Sequence, residues 1–140
     1  MKKQFFLLSA CLLLSATVWS QTKAKISKSA IQKATNEVVS LYKMDEAQAN
    51  EVYQIQEVRL QNLQAIEYLR QEDYAVFLRK RAAIRIGAEH AIKNLLTTAQ
   101  LEIFNIQKAE KQKRETDKMR ALKMQGASSE AIQLALLEIE

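Results

Sequence analysis

The stretch Leu96-Thr97-Thr98-Ala99-Gln100, followed by the apolar residues Leu101 and Phe104, reads as the start of a helix. Thr97 stands as N-cap, its hydroxyl accepting the backbone N–H of Gln100. The Gln100 side chain reaches back to the N–H of Thr97 and completes a capping box. Leu96 then falls at N′ and Leu101 at N4, the two positions of a hydrophobic staple. Fifty-two residues earlier, Met44-Asp45-Glu46-Ala47-Gln48 has the same layout, with an apolar N′, an Asp at N-cap and Gln at N3. An apolar residue follows each Gln by four positions, Val52 in one copy and Phe104 in the other. One capping box marks only where a helix begins; two at this spacing predict a duplicated helix-pair unit.

The composition agrees. The chain has 140 residues, no Pro, and only Gly87 and Gly126 as glycines. Long stretches of Ala, Leu, Gln, Glu, Lys and Arg favour helix, and no run of β-branched residues reads as a strand. The expected fold is all-α: a signal peptide, then one domain of four to five helices arranged as duplicated, hairpin-like pairs. The helices are expected over 27–43, 45–70, 73–95, 97–125 and 129–139.

Residues 1–20 follow the plan of a secretory signal peptide. Lys2 and Lys3 precede an uncharged, mostly apolar run from Phe5 to Val18, and Val18 and Ser20 occupy the −3 and −1 positions before Gln21. The run is short for a bilayer span. Leu8-Ser9-Ala10-Cys11 resembles a lipoprotein cleavage box, but the apolar run continues through Leu14 and would be stranded on a chain lipidated at Cys11. Export with cleavage after Ser20, to a periplasmic or secreted location, is the expectation. The mature chain then keeps 19 basic and 16 acidic residues and no Cys, so helix packing alone must stabilise it. The small basic excess does not call for nucleic acid.

Along the mature chain, Ser27 or Ser29 caps a first helix carrying Ile31, Ala34, Val38 and Leu41. In the second, Val52, Ile55, Val58, Leu63, Ile66 and Leu69 form a broad apolar stripe, read as core or interface. Asp73 caps a third helix whose apolar positions include Tyr74, Phe77, Leu78, Ile84, Ala88 and Ile92. Arg79-Lys80-Arg81, joined by Arg85 and Lys93, is either a solvated face or a positive contact surface for acidic partners or anionic headgroups. Residues 107–118 carry one apolar side chain, Ala109, and are expected to project as an exposed helical arm or to be disordered. Gly126 stands where a C′ glycine would end that helix. The last helix, from Ser128 or Ser129, has little polar surface and must dock on the body, pair with another chain or bind partners.

No catalytic constellation is visible. A single His and no mature Cys exclude Cys–His pairs and multi-His metal sites within the chain, and two glycines leave no phosphate-cradling loop. His90 reads as a partly exposed helix residue, and Glu67 and Glu72 have no arrangement suited to acid–base work. Neither enzymatic activity nor a cofactor is expected.

The paired motifs, on a small exported all-helical chain, resemble the Spy/CpxP family of periplasmic proteins, which carries a repeated Leu-Thr-x-x-Gln. Leu96, Thr97 and Gln100 match it in full; Met44, Asp45 and Gln48 match in the Gln and in the chemistry of an apolar residue before an N-cap. The resemblance, over 26–124, implies a cradle-shaped homodimer acting as an ATP-independent chaperone or as a partner of envelope-stress sensors, with basic and apolar concave faces. It makes Phe77, Arg79, Lys80, Arg81, Ile84 and Arg85 candidate contacts for unfolded or partner proteins. Two other expectations stand beside it: an interaction protein assembling through its C-terminal helix, and a membrane-surface protein using the basic third helix with the apolar tail.

Overall fold

The computed structural model describes residues 26–139, so the expected signal peptide and Cys11 lie outside the described residues. These are helical throughout, with no strand among them: α1 Lys28–Tyr42, α2 Glu46–Ile66, α3 Leu69–Glu72, α4 Tyr74–Lys93, α5 Thr98–Met124 and α6 Ser129–Leu137. Five starts carry a side-chain cap. Ser27, Asp45, Asp73, Thr97 and Ser128 each accept a backbone N–H from the first turn, and Asp45 and Thr97 do so within complete capping boxes. Each such cap contributes about 1 kcal/mol.

One boundary departs from the sequence reading. The helix expected over 45–70 stops at Ile66, and Glu67 and Tyr68 form a turn before α3. No Gly or Pro marks the place. The ladder tightens instead to three-residue spacing, Glu67 N–H to Gln64 and Arg70 N–H to Glu67. The turn leaves Tyr68 exposed and brings Leu69 into contact with Phe77 and Leu78 of α4.

Two apolar clusters result. In the first, Tyr42, Met44, Val52, Ile92 and Phe104 join the ends of α1 and α4 to the starts of α2 and α5. Tyr42 and Phe104 meet with ring centroids 6.4 Å apart. Burial, aided by the nearby Glu89 carboxylate, holds the Tyr42 hydroxyl above the usual tyrosine range. In the second, Leu69, Phe77 and Leu78 pack beneath Leu134 and Leu137 of α6. Val52, Phe77 and Leu78 are the fully buried large side chains, each contributing about 1.5–3 kcal/mol. α2 lies between α1 and α4, while α5 packs on α1 near its start and on α6 at its end.

The arm at 107–118 is helical, as part of an unbroken α5 about 40 Å long. Only Gln100 and Phe104 of this helix are buried. Its order is local in origin: strong helix formers between a capping box and a glycine stop. Gly126, at φ 74°, closes a Schellman turn in which Ala127 N–H reaches the Leu122 carbonyl and Gly126 N–H the Lys123 carbonyl. Along the arm, Lys113 and Asp117 form an ion pair at 3.7 Å.

Candidate binding surface

The two capping glutamines meet. Gln48 Nε2 donates to Gln100 Oε1 at 2.8 Å, and Gln100 Nε2 donates to Gln48 Oε1 at 3.0 Å. Each amide also donates across to the chain just before the other motif: Gln48 to the Leu95 carbonyl at 2.6 Å, Gln100 to the Lys43 carbonyl at 3.4 Å. Each Oε1 accepts in addition the N–H of its own N-cap, Asp45 at 3.1 Å and Thr97 at 2.9 Å. Both amides thereby use two donors and two acceptor positions, the full capacity of a glutamine side chain. A Glu at either place would have no donor for the opposite carbonyl. Met44 is buried and Leu96 packs against the same cluster, so the motif residues form an architectural clasp between the two units. Lys43 adopts a left-handed conformation, φ 52°, as α1 ends, and its carbonyl is the one that Gln100 takes.

The basic run on α4 divides. Arg79 and Lys80 are exposed. Arg81 and Arg85 instead face α6, where Arg81 Nη2 donates to the Leu137 carbonyl at 3.2 Å and Arg85 Nη1 to the Ile139 carbonyl. The Leu137 carbonyl belongs to the last turn of α6, where no intrahelical N–H reaches it and cations are favoured, and the Ile139 carbonyl lies just past the C-cap Glu138. Phe77, expected as an exposed contact, is 2% accessible. Leu69, Leu78 and the α6 leucines enclose it, and the Arg70 and Arg81 guanidinium carbons lie 4.7 and 5.7 Å from its ring centroid. Tyr74 donates its hydroxyl to Glu138 at 3.0 Å. That bond, with some burial and the Glu138 charge, raises the Tyr74 hydroxyl above its usual range, against the opposing pull of Arg81 and Arg70.

Ile84 belongs to a different feature. It lines an open groove of about 620 Å³ between α2 and α4, with Ile55, Val58, Ala83, Gly87, Ala88 and Ala91 as its apolar wall and Glu51, Gln54, Arg59 and Asn62 at the rim. Val58, on the stripe expected to be core or interface, is 56% exposed, because α1 and α4 cover the sides of α2 that carry Val52 and Gln56. Ala83, Gly87 and Ala91 recur every four residues on α4 and leave that ridge low; a Cβ placed on Gly87 would meet nothing within 4 Å. That small-residue spacing was the available signal for the groove. Arg59 also lines a smaller cavity of about 90 Å³ with Leu63, Arg81, Ala82 and Arg85. The groove thus continues toward the arginines that hold α6.

Among the described residues no group of three or more His, Cys, Asp or Glu side chains is placed to hold a metal ion, and no helix is long and apolar enough to cross a membrane. His90 is exposed beside Asn94. Compared with protein-family models, curated proteins and solved structures, the chain matches none.

Proposed function

We propose that this is an exported polypeptide-binding protein that holds unfolded or partner chains without ATP, with apolar client segments lying in the groove between α2 and α4. The observation that carries this reading is the groove itself: an open apolar trough bordered by Arg59 and leading to a cluster of guanidinium groups. Apolar surface beside positive charge suits loose capture of chains with varied sequences, because neither contact demands fixed geometry. The resemblance of the paired motifs to the Spy/CpxP pattern supports the same reading, as does the expected export signal, and a homodimer is part of what that resemblance implies. Its client-contact residues are revised accordingly. Ile84 stays, Val58 and Ile55 join it, Arg79 and Lys80 supply exposed charge nearby, and Phe77 is withdrawn as a packing residue.

The test is light scattering from a chemically unfolded, aggregating client with and without the purified mature protein, in the absence of ATP. Suppression near stoichiometric ratio is expected, and Val58→Asp with Ile84→Asp should abolish it while leaving the helical content intact. No suppression across several clients by a folded protein sinks the reading. A second reading, assembly through α6, draws on the partial exposure of Leu134, Leu136 and Leu137. It predicts a concentration-dependent mass by sedimentation that is lost when 128–140 are deleted. Salt-sensitive flotation with anionic liposomes would point to a membrane surface instead.

A further inference from the structure

We propose that α6 is a resident stand-in for a partner helix: the surface made by Leu69, Phe77 and Leu78 with Arg81 and Arg85 receives the last turn of an amphipathic, carboxylate-bearing helix, and α6 gives way to it. The inference rests on the polypeptide-binding reading and adds how that surface is controlled and what it selects.

Three features of the contact argue for it. The arginines grip groups that every helix has. Arg81 and Arg85, one turn apart on α4, donate to the Leu137 carbonyl in the last turn of α6 and to the Ile139 carbonyl just past its cap, both main-chain groups that any helix ending at this place, with the residues that follow it, would offer. The apolar part is equally generic, since Leu134 and Leu137 lie on the Leu69–Phe77–Leu78 cluster and remain partly exposed.

The fit is also incomplete. Arg85 Nε is buried without a hydrogen-bond partner, and Arg85 lines the cavity of about 90 Å³ that it shares with Arg59 and Arg81. A side-chain carboxylate entering there would meet guanidinium groups from two helices, and a carboxylate accepts from such a fork in pairs. An acidic residue in the last turn is therefore the chemistry selected; Glu138 of α6 does not fill that place, since its carboxylate accepts from Tyr74 and stays exposed.

Finally, α6 is poised to leave. It has nine residues, of which Ile132 alone is buried, and it joins α5 through the turn at Gly126. A helix this short gains little from propensity and stays folded through its dock. Arg59 borders both cavities, and Arg81 and Arg85 of the smaller one hold the end of α6, so the dock adjoins the client groove. A chain that occupied groove and dock together would have to displace α6.

The experiment uses a fluorescein-labelled synthetic peptide spanning residues 127–139, with anisotropy as readout. It is titrated into the wild-type mature protein and into Leu134→Asp/Leu137→Asp, in which α6 is released without altering the receiving surface. Hydrogen exchange over 129–137 verifies the release, with Ile132→Asp added if protection persists. The expected result is binding at least tenfold tighter to the released variant than to wild type, and a tenfold loss when Arg85→Gln is added. Equal binding to both proteins overturns the proposal. So does no binding to the released variant, α6 protection that survives all three substitutions, or dimerisation of the released variant without peptide binding, which would assign the surface to a second copy. Peptide binding without client suppression sinks the groove reading alone; suppression without peptide binding sinks this one alone.

Discussion

The two ends of this molecule are held by different means. At one end, four helices meet around Val52, Ile92 and Phe104, and the Gln48–Gln100 pair leaves neither amide with an unused donor. At the other, a nine-residue helix rests half-exposed leucines on a small cluster, and two arginines hold the carbonyls of Leu137 and of Ile139 just past it, one arginine keeping a buried N–H unmet. The first arrangement is specific and saturated, so any loss strands its partners. The second is generic and incomplete. A fixed end and a detachable end follow from the same short chain, and the distinction can be tested by equivalent injuries to each.

The largest effect is expected from Phe104→Ala, which opens a cavity where α1, α2, α4 and α5 converge. It should lower global stability by about 3–5 kcal/mol, read as a shift in the urea midpoint. Gln100→Ala comes next, at about 2 kcal/mol, because it leaves the Lys43 carbonyl, the Thr97 N–H and half of the Gln48 amide without partners. Adding Gln48→Ala should cost less than its single-mutant value. A double-mutant cycle in which the two costs simply add would break the claim that the glutamines act as a unit. At the far end, Leu137→Ala should cost only about 1 kcal/mol, as part of a half-buried side chain is removed. The loss should appear as faster hydrogen exchange in 129–137 with the rest of the chain unchanged. A global shift as large as that of Phe104→Ala would end the comparison, making α6 part of the core.

The smallest effect concerns pH. Tyr74 titrates above its usual range because its hydroxyl serves Glu138. A raised value in the folded state means that the bond contributes below about pH 10, the ordinary tyrosine value, and is lost as pH rises through the raised one. Ultraviolet titration of tyrosinate should show a late phase shared with Tyr42, from which Tyr74→Phe removes one group and Glu138→Gln moves that group back toward the ordinary range. The fixed end should not respond to either substitution.

What could be read beforehand follows the same division between local and distant causes. The capping boxes at Asp45 and Thr97, the Asp73 cap and the Gly126 stop depend on residues three to five positions apart, so the sequence displays them directly. The clasp joins side chains 52 positions apart, and only the repeat of the spelling hinted that they were related. The turn at Glu67 and Tyr68 was hidden because its residues are ordinary helix formers; it arises where Leu69 is drawn to Phe77 and Leu78. The apolar spacing on α4 showed that Phe77 and Ile84 lie on apolar faces without showing what covers them. Phe77 lies beneath α6 and Ile84 opens on the groove. In sequence the arginine run is one block, a solvated face or a contact surface alike, yet α6 takes Arg81 and Arg85 and leaves Arg79 and Lys80 exposed.

The clasp also sets a timetable. A polypeptide is made from its first residue onward, and Gln48 and Val52 emerge while Gln100 and Phe104 are still to be added. At rates of about 5–20 residues per second, that interval lasts roughly 3–10 s. Until then, the apolar end formed by Tyr42, Met44 and Val52 has no cover and the Gln48 amide has nothing opposite. No earlier segment can substitute, because the missing pieces are supplied by the second copy of the motif. For those seconds the nascent protein resembles the unfolded chains it is proposed to hold, and a chain stalled or cut before residue 100 would remain in that condition.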